Sequence, residues 1–358
     1  MSSIWKSQRL AAIFLLALFA LLALACSGSG PSSGSSIALQ GAGATFPNPL
    51  YQKWVSEYGK LHPNVRIDYQ SIGSGGGIKQ IQEQTVAFGA SDAPMTDADL
   101  KAARSEILHI PTVLGAVVVT YNVASITQPL HFSPEVIADI FLGKIKKWDD
   151  QHIKQDNPGA TLPAADITVV HRAESSGTTF VFTDYLSKVS PEWKSTVGAD
   201  KQPKWPVGQG GKGNEGVTGQ IKQQPNTIGY VELAYAVQNK LPVALVKNAS
   251  GKFVEPSIDA VTAAAASASA LTPDDLRVSI TNATGEDVYP ISSYTYILAY
   301  KDQKNADKGK TLVDFLWWGI HDGEKFAREL QYAPLPAEIV KRTEAKINLI
   351  SSGGKPLH

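Results

Sequence analysis

Val113-Leu114-Gly115-Ala116-Val117-Val118-Val119-Thr120-Tyr121 is the most apolar run of the chain beyond its amino terminus, and its reading decides the fold. The run lies within Pro111–Asn122 and is rich in β-branched valine, so it reads as a strand buried on both faces. A strand of that kind belongs in the middle of a sheet and is placed to cross between two domains.

Outward from it, short β-rich runs alternate with helical patterns from Ile37 onward. Val65–Tyr69, Val86–Ala90 and Ile167–Val170 read as strands, and Tyr289–Ser292 and Tyr296–Tyr300 open a final block. Leu50, Tyr51, Trp54, Val55 and Tyr58 share one helical face behind Asn48 as N-cap and Pro49 at the first helical position. Further helices are predicted over residues 78–84, 134–142, 178–189 and 310–319. Ala260–Leu271, rich in alanine and serine, reads as a surface helix with weak packing. The alternation defines an α/β fold with βαβ units, and no internal repeat interrupts it.

Composition bounds the function. With 358 residues, 43% hydrophobic and 18% charged, the chain is too long for one small core and too apolar for disorder. Its 33 basic and 33 acidic residues give a formal charge of zero, which argues against a nucleic-acid partner. One cysteine excludes a disulfide framework, and seven histidines without an H-x-x-x-H pair give no reason to expect a metal or other cofactor.

Residues 1–25 read as an export signal, with Lys6 and Arg9 ahead of a 16-residue apolar run, Leu10–Ala25, that is short for a bilayer span. Its end, Leu22-Ala23-Leu24-Ala25-Cys26, resembles a lipobox, although Ala23 stands where leucine is usual. Cys26 is therefore expected to be lipidated and to become the first residue. Residues 27–36 contain no apolar side chain and form a flexible tether with a reach of roughly 15–20 Å. Loss of Lys6 and Arg9 leaves 31 basic against 33 acidic residues, a net charge of −2.

Three segments run into helices through small, hydroxyl-bearing residues: Gly41-Ala-Gly-Ala-Thr-Phe46, Gly73-Ser-Gly-Gly-Gly77 and Ser175-Ser-Gly-Thr-Thr179. Each leaves backbone N–H groups and hydroxyls free at a helix start, and glycine lets a ligand approach the main chain. One such segment only marks a helix cap; three suggest a convergent oxyanion pocket. Arg172 beside the third is suited to bidentate contact with an oxyanion, and Glu174 is placed to orient and offset it. Asp92, in Gly89-Ala-Ser-Asp-Ala-Pro94, follows a strand. Gly208-Gln-Gly-Gly-Lys-Gly213 matches G-x-G-x-x-G with Glu232 following 19 residues later, but the proline-bearing Lys204–Val207 before it is no buried strand, so a dinucleotide is not expected.

From about Ile37 to its end the chain resembles the high-affinity phosphate-binding proteins of bacterial phosphate ABC transporters. The resemblance rests on Gly41–Pro47, Gly89–Pro94, Leu142-Gly-Lys-Ile-Lys-Lys-Trp-Asp-Asp150, Gly210-Gly-Lys-Gly-Asn214, Ile228-Gly-Tyr-Val-Glu232 and Gly353-Gly-Lys-Pro-Leu357. It implies a type II periplasmic-binding-protein fold, with residues 37–112 plus 290–358 as one domain, residues 113–289 as the other, and the ligand in the cleft. It also implies that phosphate is held by the Thr45 hydroxyl and Phe46 amide, by Ser74, Arg172 and Ser176, and by the amides of Gly177 and Thr178, while Asp92 accepts the proton of phosphate. The family pairs its arginine with an aspartate two residues on; here the position is Glu174, followed by Ser175 where glycine is common. The implied role is a non-enzymatic, monomeric receptor outside the cytoplasm, serving a permease and its ATPase. A phosphate-ester hydrolase using the same pocket, or a receptor for sulfate or molybdate, are the alternatives to weigh. Mass spectrometry of the mature amino terminus is expected to find an acylated Cys26 as its first residue; an unmodified Cys26, or cleavage elsewhere, would leave a free exported protein.

Overall fold

The computed structural model describes residues 36–358; the export signal, Cys26 and the tether up to residue 35 lie outside the described residues. The strand read from Val113–Tyr121 runs from Ile107 to Asn122 and is buried along nearly its whole length. Pro111 sits inside it, tolerated at a β-bulge: Val113 lies opposite Thr295 and Pro111 opposite Tyr296, so Thr112 is left without a counterpart.

In chain order the strands of the main sheet are β1 (Ile37–Gly43), β2 (Val65–Ser71), β3 (Phe88–Ser91), β4 (Ile107–Asn122), β5 (Thr168–Arg172), β6 (Gln209–Gly211), β7 (Thr227–Glu232) and β8 (Ser292–Tyr300). They lie side by side as β2-β1-β3-β8-β4-β7-β5-β6. Strands β2, β1 and β3 are mutually parallel, as are β7, β5 and β6, while β8 and β4 run antiparallel to both of their neighbours. Strand β4 pairs with β8 from Ile107 to Ala116 and with β7 from Val117 to Asn122, so one strand carries both halves of the sheet.

The helices that matter for the site are α1 (Asn48–Leu61), α2 (Ser74–Glu83), α3 (Gly177–Val189) and α4 (Gly213–Gln223); α5 (Ile258–Ala268) and α6 (Ala306–Ile320) pack on the sheet. Helix α1 buries Leu50, Tyr51, Trp54 and Tyr58 as its periodicity predicts, with Pro47 in the capping position and Asn48 already helical. Helix α2 begins four residues ahead of Ile78, where apolar periodicity first shows, because Gly75, Gly76 and Gly77 have no side chains to register a period. Gly77 lies so close on β1 and β3 that a Cβ there would stand 2.5 Å from the Ala90 carbonyl oxygen.

The glycine-rich stretch 208–213 supplies the edge strand β6 and then the first residue of α4. One expectation changes. Residues 260–271 are not a weakly packed surface helix: Ala260, Val261, Ala264, Ala265 and Ala268 are buried against β4 and β8. Their small side chains let α5 approach the sheet, and a face made of alanine gives little hydrophobic contrast to read. Ala264→Asp is therefore expected to cost about 3 kcal/mol or more of unfolding free energy, since it buries an unpaired carboxylate. The exposed Ala266→Asp should cost under about 0.5 kcal/mol by the same urea titration.

Candidate functional site

The parallel strands of both halves end in short turns that open helices: β1 leads through Thr45 and Phe46 to α1, β2 through Gly73 to α2, β5 through Ser175 and Ser176 to α3, and β6 through Lys212 to α4. Strand β3 ends on Ser91, ahead of Asp92. In open α/β sheets the carboxyl ends of the strands are where ligands bind. These turns meet. The Gly75 N–H donates to the Ser175 carbonyl at 3.0 Å, and a Cβ on Gly177 would lie 2.4 Å from Ser74 Oγ and 2.5 Å from Asp92 Oδ2. From the other side Asn214 Nδ2 donates to Thr45 Oγ1 at 2.8 Å and to Thr178 Oγ1 at 3.1 Å.

The hydroxyls are oriented by what they accept. Thr45 Oγ1 takes both the side chain and the backbone N–H of Asn214, the latter at 3.3 Å. Thr178 Oγ1 takes Asn214 Nδ2 and, at 3.3 Å, Arg172 Nη1. Ser176 Oγ accepts from the Thr179 N–H at 3.1 Å, and Ser74 Oγ from the Asp92 N–H at 3.3 Å. N–H groups only donate, so the hydroxyl protons of Thr45, Ser176 and Thr178 are left to point elsewhere, while that of Ser74 is directed at Asp92 Oδ2, 3.5 Å away. The N–H groups of Gly177 and Thr178 lie in the first turn of α3, where no carbonyl of their own helix reaches them. The result is a buried set of O–H and N–H donors in which every hydroxyl oxygen already accepts at least one N–H bond, the complement of an oxyanion.

Three charged groups stand in this set. Arg172, at the end of β5, is 2% exposed. Its Nε donates to Glu174 Oε1 at 3.1 Å, its Nη2 reaches the same oxygen, and the Gly213 N–H adds a third donor at 3.0 Å. Glu174 Oε2 is buried without a partner among the described residues. Asp92 is buried, and its Oδ1 accepts from the Thr295 hydroxyl at 2.8 Å while Oδ2 faces Ser74 and Gly177. Burial pushes the Asp92 carboxyl up to about 7, against the opposing pull of the Thr295 hydrogen bond, the Arg172 charge and the Ser74 hydroxyl.

All the residues singled out from the sequence, Thr45, Phe46, Ser74, Asp92, Arg172, Glu174, Ser176, Gly177 and Thr178, thus come together. Sequence reasoning missed Asn214, although it ends the quoted Gly210–Asn214 motif and stands at a helix start. It missed Thr295, for which no local signal exists. It also missed the phenols: Tyr235 Oη donates to the Thr45 carbonyl and Tyr332 Oη to the Phe46 carbonyl, both at 2.6 Å. Glu232, at the spacing a ribose-binding carboxylate would have, is instead buried at the end of β7. Its Oε2 accepts from Ala234 N–H at 2.9 Å and lies 3.0 Å from Tyr332 Oη, and burial holds its carboxyl well above the usual range. Among the described residues no three His, Cys, Asp or Glu side chains gather as metal ligands.

Residues 27–317 match the PBP superfamily domain, which makes the chain a binding protein of that superfamily. It is 48% identical over 322 residues to the phosphate-binding protein PstS of Pasteurella multocida, covering 89% of this chain and 93% of the relative. Its identity to the phosphate-binding protein PstS of Xylella fastidiosa is 46% over 311 residues, covering 87% and 85%. The chain belongs to the phosphate-binding protein PstS family. Its fold is also that of a solved high-affinity periplasmic phosphate-binding protein with bound phosphate, at a TM-score of 0.69 and 21% identity over 86% of this chain and 93% of the other.

Gly177→Ala sets a methyl group against Ser74 and Asp92. It is expected to weaken binding of a tetrahedral oxyanion by roughly a hundredfold or more, read by calorimetry, with the circular dichroism spectrum unchanged.

Proposed function

We propose that this protein is an extracytoplasmic receptor that binds inorganic phosphate and delivers it to an ABC importer. The observation that carries this reading is the buried ring of hydroxyls, each already accepting an N–H bond, set around one arginine and one carboxylate. Thr45, Ser74, Ser176 and Thr178 donate O–H groups; Phe46, Gly177 and Thr178 donate amides; Arg172 supplies the positive charge, tempered by Glu174. Each helix start contributes about 0.3–2 kcal/mol to holding an anion, more once water is excluded.

Asp92 gives the selectivity. Phosphate at neutral pH still has a proton to donate to the carboxylate, whereas sulfate has none and would set an anion against an anion. Residues 37–112 with 290–358, and residues 113–289, act as two lobes that close on the ligand. The bonds from Asn214 to Thr45 and from Gly75 to Ser175 join segments of the two, as do Lys201 with Asp99 at 3.6 Å and Asn48 with Glu215 at 3.5 Å. The relatives are named as binding proteins, which supports a receptor and not an esterase. The protein works as a monomer, tethered to a membrane through lipidated Cys26, and passes phosphate to permease subunits powered by their ATPase.

Calorimetry with phosphate and sulfate tests the reading. Wild type is expected to prefer phosphate, by a margin that widens as pH rises above the Asp92 carboxyl's value of about 7. Asp92→Asn, whose amide can donate to either anion, should lose most of that preference. Equal binding of sulfate by the wild type would overturn the role given to Asp92, and no phosphate binding would overturn the receptor.

A further inference from the structure

We propose that Thr295 is the positioning residue that sets anion selectivity, by holding Oδ1 of Asp92 and leaving Oδ2 to the ligand. The inference rests on the reading of Asp92 as acceptor of the phosphate proton.

Strand β8 runs antiparallel to β3 with Tyr296 opposite Ser91, which brings Thr295 beside Asp92, 203 residues away in sequence. Thr295 is fully buried, and its Oγ1 donates to Asp92 Oδ1 at 2.8 Å, with the Tyr51 phenol also within reach of the Thr295 side chain. The position is itself fixed from behind. The bulged Thr112 donates its hydroxyl to the Thr295 carbonyl at 3.2 Å and meets Tyr51 Oη at 2.7 Å, so β4 and α1 together hold the segment that bears the donor. A β-bulge beside a binding site commonly re-aims a side chain in this way.

A hydroxyl in this position has two effects. It occupies one carboxylate oxygen, so that the other must meet the ligand, and it favours the ionised form of Asp92 over the protonated one. The second effect decides selectivity. An ionised Asp92 accepts a proton and repels sulfate; a protonated Asp92 donates, and admits sulfate. The other groups bearing on Asp92 are Arg172 on β5, which also favours ionisation, Ser74 on α2, whose hydroxyl makes a long 3.5 Å contact to Oδ2, Glu232 on β7, and the phenols Tyr51, Tyr69 and Tyr332, which burial keeps protonated. None of these touches Oδ1.

The sign of the pH dependence follows. With the carboxyl near 7, exclusion of sulfate is strongest above that value and is lost as pH falls through it. Removing the Thr295 donor moves that loss to higher pH. Sulfate carries no proton across the neutral range, so its affinity reports the protein group alone.

The experiment is calorimetric titration of the full mature chain with phosphate and with sulfate between about pH 5.5 and 8.5, on wild type, Thr295→Val, Thr295→Ser and Thr295→Cys. Thr295→Val is expected to bind sulfate more tightly at the alkaline end, by nearly tenfold, with the midpoint of sulfate exclusion about one pH unit higher. Thr295→Ser, which keeps the hydroxyl, should restore the wild-type profile, and Thr295→Cys, a weaker donor that keeps the site filled, should lie between. A Thr295→Val or Thr295→Cys profile superimposing on wild type would overturn the proposal. So would a Thr295→Ser profile that follows Thr295→Val, since packing of the methyl group would then be the role. Failure of the wild type to bind phosphate would instead bring down the receptor reading beneath it.

Discussion

Strand β4 is hydrogen-bonded to β8 along its first part and to β7 along its last, and the site depends on that shared ladder. Because one continuous strand belongs to both halves of the sheet, the two sets of parallel strands are held in register, and their carboxyl ends deliver four helix starts to one place. A backbone amide or a threonine hydroxyl is a weak ligand alone. Gathered at the ends of strands that share a common member, these groups form a surface of donors without using more than one cation.

Much of this was legible in the sequence for a local reason. A turn that opens a helix is written in adjacent residues, so Gly41–Phe46, Gly73–Gly77 and Ser175–Thr179 could be recognised as donor-bearing before their meeting was known. The central strand was legible because burial on both faces leaves no polar alternation. What stayed hidden was set by long-range pairing. Thr295 reaches Asp92 only through the β3–β8 ladder, and Tyr332 reaches the Phe46 carbonyl across 286 residues. Asn214 was visible as part of a motif, but its task of bridging Thr45 and Thr178 requires segments 169 and 36 residues away in sequence. Helix α5 was misjudged because alanine is as common on a surface helix as on one pressed against a sheet.

The electrostatics are nearly balanced in place. Arg172 is matched by Glu174, whose Oε1 gathers two guanidinium contacts and the Gly213 amide, while Asp92 is buried and titrates near neutrality. A site built this way holds an anion mainly through directed dipoles, which act at hydrogen-bond range, and not through a field extending into solvent. The chain's overall near-neutrality is therefore compatible with an oxyanion partner.

Where the segments 73–77 and 174–177 face each other, contact is main chain against main chain: Gly75 donates to the Ser175 carbonyl, and a Cβ on Gly73, Gly75 or Gly177 would stand within 3 Å of an atom across the seam. Such a seam is already at its minimum of matter. Mutation there has a single direction, toward greater bulk, so drift at these three glycines acts as a wedge that forces the two segments apart and has no counterpart that would draw them closer.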